Sequence, residues 1–109
     1  MLKTDFKFGE VKNLSEQIES EASKVTFKEI FGTENGGVSL LAFKAGQGLQ
    51  EHLAPAEVMV YVIDGEIEFN VSGKGHLMLP GDFLLIGQGV AHSVASMTDA
   101  KVMLVKVKA

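Results

Sequence analysis

The sequence predicts an all-β protein, a sandwich or barrel of roughly nine or ten short strands. Three observations carry that reading. From Lys24 onward, short apolar or alternating runs follow one another to the end of the chain. Turn-forming clusters separate them: Glu34-Asn35-Gly36-Gly37, Asp64-Gly65, Gly73-Lys74-Gly75, Pro80-Gly81-Asp82 and Gly87-Gln88-Gly89. No segment of helical length and period lies between the runs, which excludes a doubly wound α/β fold.

Residues 1–24 mix charged and apolar side chains without a sustained period, and we read them as an N-terminal arm, packed on the barrel or exchanged between barrels. Within it, Asn13 to Glu21 suits a helical turn or two, with Ser15 as cap and Ile18 on the buried side, or else an extended segment. Residues 25–109 form the barrel. Val25–Phe27 and Ile30–Phe31 are an apolar stretch ending at Gly32, and Val38–Ala45 is the next strand. Leu49–Leu53 and Val58–Ile63 follow, parted by Ala54-Pro55-Ala56. Glu66–Ser72 alternates, with Ile67, Phe69 and Val71 on one face and Glu66, Glu68 and Asn70 on the other, as a half-buried antiparallel strand does. His76–Leu79 is short, and Pro80-Gly81 suits a tight turn with proline first and glycine second. Phe83–Ile86, Ala91–Met97 and Lys101–Val107 complete the set.

At 109 residues the chain is one domain, large enough for a core. A 46% hydrophobic and 22% charged composition is that of an ordinary globular protein. All ten basic residues are lysines, scattered along a chain of net charge −4. Without arginine, bidentate recognition of phosphate or guanine is lost, so nucleic acid is not an expected partner. The absence of cysteine rules out disulfides, thiolate metal sites and a cysteine nucleophile. No apolar run approaches membrane-spanning length, and MLKTDFKFGEVK lacks a signal-like stretch, so no membrane partner and a cytoplasmic location are expected.

Two segments are built alike. Gly46 to Gly65 carries His52 and then the most apolar strand. Gly81 to Ser96 repeats the plan: glycines, an apolar run and then His92. We read the two as lining one cavity in which the histidines meet. A lone histidine on an apolar strand is more often a buried neutral imidazole bonded to backbone or water. The matched spacing raises a ligand-binding cavity above that reading. Gln50 has the strand parity of His52, so both are expected to point inward, with Glu51 outward. His76 reads as a surface residue, Asp82 as a turn residue, and Glu66 and Glu68 as a solvated strand face. Tyr61 lies opposite Val60 and Val62 in parity and reads as structural.

Gly46, five residues and His52, with the strand ending at Gly65, resembles the first conserved motif of the cupin superfamily. Gly81, five residues, Gly87, then Gly89-Val90-Ala91-His92 and Ser96 resembles the second. Glu51-His52-Leu53-Ala54-Pro55 is similar to small single-domain cupins, many of which have no assigned reaction. The resemblance covers most of the chain. It implies a double-stranded β-helix, or jelly-roll barrel, often homodimeric. It also implies a divalent metal on two histidines and a glutamate of the first motif and a histidine of the second. The chain departs from that set: Ala54 stands at the second histidine position and Val58 at the glutamate position. Gly87 replaces the usual proline and Ser96 the usual asparagine.

Only His52 and His92 therefore carry over as ligands. A protein-held metal ordinarily has at least three good donors. Gln50, and Glu57 if the Pro55 turn re-aims it, are the expected additional ligands for iron, nickel, manganese or zinc, with the amide poorly suited to zinc. Three functions follow: a module binding a small molecule in the cavity, with or without a divalent metal, a metal-dependent oxygenase or isomerase acting on a small organic substrate, or a dimer domain with a decayed site. Val58–Ile63 is apolar on both faces, so its Met59, Tyr61 and Ile63 side needs cover, and a homodimer is expected.

Overall fold

The computed structural model describes residues 1–108, and in it the strand pattern becomes nine strands and one short 3₁₀ turn. The strands are β1 (Thr26–Thr33), β2 (Gly36–Phe43), β3 (Gly48–Leu53), β4 (Glu57–Asp64), β5 (Ile67–Val71), β6 (Lys74–Met78), β7 (Phe83–Ile86), β8 (Ala91–Ser96) and β9 (Ala100–Val107). They form a five-stranded sheet, β1-β2-β9-β4-β7, and a four-stranded sheet, β3-β8-β5-β6. Every pairing within them is antiparallel. Sequential neighbours repeatedly fall in different sheets, as in a jelly roll, and the sheets do not close into one ring.

The core lies between the sheets and follows side-chain alternation. Val58, Val60 and Val62 of β4 point inward and are buried, while Met59, Tyr61 and Ile63 are only half-buried on the outer face. On β5, Ile67 and Phe69 are buried and Glu68 is exposed. Phe43, Val60, Val62, Ile67 and Val102 are among the largest fully buried side chains. The runs 25–27 and 30–31 merge into one strand, β1, whose register on β2 shifts between Glu29 and Phe31.

Two turns refine the sequence reading. The β5–β6 hairpin turns at Ser72-Gly73 rather than over Gly73-Lys74-Gly75, because Val71 pairs with Lys74. Both turn residues have positive φ, 50° and 82°, the type I′ geometry that suits the twist of a hairpin. At Pro80-Gly81 the Asp82 N–H donates to Leu79 O at 2.9 Å, and Gly81 has φ 94°. That is a type II turn, with glycine where positive φ is required. Asp82 Oδ2 accepts from Leu79 N–H at 2.9 Å, so its turn role stands.

The arm folds back over its own barrel. Its 3₁₀ turn, Leu14–Gln17, is capped by Asn13, whose side chain accepts from Glu16 N–H at 3.3 Å; Ser15 is inside the turn and is not the cap. Ile18 is 6% exposed and packs with Leu40 and Ala42 on the outer face of the five-stranded sheet. Burying such a side chain is worth roughly 1.5–3 kcal/mol. Polar ties hold the rest. Gln47 Nε2 donates to Glu21 O at 2.8 Å, and Thr26 Oγ1 to Glu19 O at 2.7 Å. Lys3 bridges to Gly32 at the edge of β1.

Candidate functional site

The cavity between the sheets holds about 240 Å³, and thirteen of its sixteen lining residues are apolar. β4 supplies Val58 and Val60, β5 supplies Ile67 and Phe69, and β9 supplies Val102 and Leu104. The three other lining residues are His52, His92 and Lys106.

His52 on β3 and His92 on β8 are direct partners across the strand pair. Their ring centroids are 4.1 Å apart with the planes at 59°. His92 is 7% exposed and stacks on Phe69, with centroids 5.7 Å apart and planes within 9°. His52 lines the cavity and is exposed. Each ring nitrogen Nδ1 lies against the carbonyl two residues earlier: His52 to Gln50 O at 2.9 Å, His92 to Val90 O at 3.0 Å. A carbonyl only accepts, so Nδ1 carries the proton in both rings. In the neutral imidazoles, Nε2 is then an unprotonated acceptor on each. The backbone thus fixes both rings in one tautomer and leaves an Nε2 lone pair on each.

The Val90 carbonyl is itself held. Ala54 N–H donates to Val90 O at 3.1 Å, and Gly89 N–H donates to Ala54 O at 2.8 Å. The proline turn after β3 and the glycine turn before β8 therefore form one clasp. Ser96, buried at the far end of β8, ties the other motif ends together. Its Oγ lies 2.7 Å from Lys44 O and 2.8 Å from Gln47 O, and its N–H donates to Gln47 O at 2.8 Å. A hydroxyl does here the pinning that the turn containing Gly46 requires.

Gln50 is not where strand parity put it. The β3–β8 register shifts between Leu49 and His52: three steps on β3 face two on β8, from Leu49↔Val94 to His52↔His92. This bulge puts Leu49 and His52 on the cavity wall and leaves Gln50 exposed and outside the lining. Gln50 contributes its backbone carbonyl instead of its amide. Glu57 is not re-aimed into the cavity either. It is exposed, and its Oε2 accepts from Gln88 N–H at 2.8 Å, bracing the glycine turn. Glu51 is exposed as expected, and Tyr61 lies on the outer face of β4.

Lys106 escaped the sequence reading. The signal was present in β9, where Val102, Leu104 and Lys106 share one parity and all three line the cavity.

The donor set does not fit a metal held by three or four protein ligands. Ala54, where a second histidine is expected, is buried and apolar, and Val58, where the glutamate is expected, lines the cavity with methyl groups. Among the described residues, no group of three or more His, Cys, Asp or Glu is placed to hold a metal ion.

Comparison with known proteins agrees with this architecture. The cupin domain family matches residues 39–108, and the chain belongs to that family. Its structure is similar to a cupin superfamily protein of Desulfitobacterium hafniense, at 17% identity over 100% of this chain and 99% of the other, with a TM-score of 0.89. An RmlC-like cupin of Desulfovibrio desulfuricans is 27% identical over 90% of this chain and 95% of the other, with a TM-score of 0.80. A cupin 2 conserved barrel domain protein of Leptotrichia buccalis is 30% identical over 89% of this chain, with a TM-score of 0.84, and the match spans 47% of that longer protein. Among curated proteins, none matches. No helix among the described residues is long and apolar enough to cross a membrane.

Proposed function

We propose that the protein is a binding module for one small, largely apolar molecule that donates a hydrogen bond to the His52–His92 pair. The observation that carries this reading is the pair of backbone-oriented imidazoles on the wall of an otherwise apolar cavity. An apolar enclosure with a few convergent polar groups is the usual form of a small-molecule site. At about 240 Å³ the cavity lies just below the roughly 300 Å³ at which pockets for drug-sized ligands begin. The ligand is therefore a single ring or a short chain. An oxygenase or isomerase working through a metal needs a third protein ligand, and neither Gln50 nor Glu57 supplies one.

A ligand-observed nuclear magnetic resonance screen of small acids, alcohols and amides tests the reading. Hits are expected to compete for one site and to weaken at least several-fold in His92→Ala. Binding unchanged by both His52→Ala and His92→Ala, or no hits at all, contradicts it.

A further inference from the structure

Resting on that binding reading, we infer that the ligand is an organic anion, with its apolar body in the cavity and its anionic group, a carboxylate in the simplest case, on the Lys106 ammonium. Lys106 is half-buried on β9, between Gly37 of β2 and Val58 of β4. Its parity with Val102 and Leu104 makes it part of the cavity wall. It also lines the surface cleft formed with Glu29, Glu34 and Pro55, so it stands where the cavity meets the exterior.

A half-buried ammonium is ordinarily matched by an acid of its own chain. Among the described residues the ion pairs are Lys12–Glu10, Lys44–Asp99 and Lys101–Glu19, and Lys106 enters none. Among the described residues no carboxylate lines the cavity. Glu57 accepts from Gln88 N–H, and Glu29 and Glu34 line only the outer cleft, not the cavity. The wall thus carries one ammonium donor and two imidazole acceptors. An anion satisfies the ammonium, and a second polar group with a proton to give satisfies Nε2. A hydrogen bond between ionised partners is about twice as strong as a neutral one, and an apolar cavity wall lowers the screening. The net charge of −4 means that this preference would be local to the cavity and would not come from a general field.

Chemical-shift titration of isotope-labelled protein with two matched pairs, each carrying a hydroxyl to give to the histidine pair, tests it: 4-hydroxyphenylacetate against 4-hydroxyphenylacetamide, and 6-hydroxyhexanoate against 6-hydroxyhexanamide. In the unaltered protein each anion is expected to bind about ten-fold tighter than its amide, the scale of one charge-assisted hydrogen bond. In Lys106→Gln, which keeps most of the stem's packing, that ratio should fall to about two-fold or less. Lys106→Arg keeps the charge and should retain the preference. If amides bind as well as anions, or if the preference survives Lys106→Gln, the cavity stands but the anionic class is wrong. If neither pair shifts any resonance of the cavity wall, the binding reading fails and this inference with it.

Discussion

At the residue scale, Asp99 shows how a side chain outside the cavity holds the site's frame. Its Oδ1 accepts from Ala45 N–H at 2.9 Å, and its Oδ2 lies 3.4 Å from Lys44 Nζ. The backbone bond from Ala45 comes first among the causes that hold its carboxyl below the ordinary aspartate value of 3.8, with Lys44 adding to it against some desolvation. A carboxylate whose folded value is depressed stabilises above its unfolded value, and that stabilisation is lost as pH falls through the folded one. Acid unfolding should therefore include a contribution below about pH 4 that Asp99→Asn removes, since the amide keeps an acceptor for Ala45 but cannot titrate. Chemical denaturation from pH 6 down to pH 2 checks this, and parallel stability curves for the two proteins would refute it. Ala54 and Val58 are the other instructive residues. Their departure from the family's ligand positions was plain from motif spacing alone, and the structure adds only that both are apolar surfaces in fact.

At the element scale, most boundaries were legible because burial on one face imposes alternation. The inward Ile67 and Phe69 were readable for that reason, whereas Val58–Ile63 is apolar on both faces and alternation alone did not fix its inward side. What was not legible is the bulge in β3. A register shift depends on the partner strand, and Gly48-Leu49-Gln50-Glu51-His52 carries no local mark of it. That single shift moved Gln50 out of the site. The β5–β6 turn was likewise misplaced by one residue, because Ser72 gives no sign that it adopts φ 50°. A left-handed non-glycine residue costs roughly 1 kcal/mol, and asparagine tolerates that conformation better. Ser72→Asn should therefore stabilise the protein by about 0.5 kcal/mol, a rise of a few degrees in Tm. Scanning calorimetry would show it, and a lower Tm for the variant would mean that the serine hydroxyl contributes more than the strain costs.

At the scale of the whole molecule, the outer face of the five-stranded sheet is only half covered. The arm's Ile18 occupies the side of Leu40 and Ala42. On the other side Met59 pairs with Val105 and Leu85, and Tyr61 pairs with Phe83, making one continuous apolar stripe. Phe83 and Leu85 are 62% and 69% exposed, on a four-residue edge strand. We propose that a second copy covers this stripe about a two-fold axis, since one self-complementary face then buries both. Light scattering should give a mass near twice 11.7 kDa, falling to 11.7 kDa in Leu85→Glu. A monomer at micromolar concentration in the unaltered protein would rule the pairing out.

The backbone carbonyls hold His52 and His92 as a pair with Nδ1 protonated, which leaves Nε2 of each ring as the acceptor for a cavity ligand. Histidine side-chain nitrogen spectroscopy at about pH 8, where an ordinary imidazole is neutral, measures this directly. The expected result is two imidazoles protonated at Nδ1, each with an Nε2 signal that moves when a cavity ligand is added. Either ring protonated at Nε2 instead, or Nε2 signals indifferent to a ligand that shifts the resonances of Val60 and Phe69, would contradict the account.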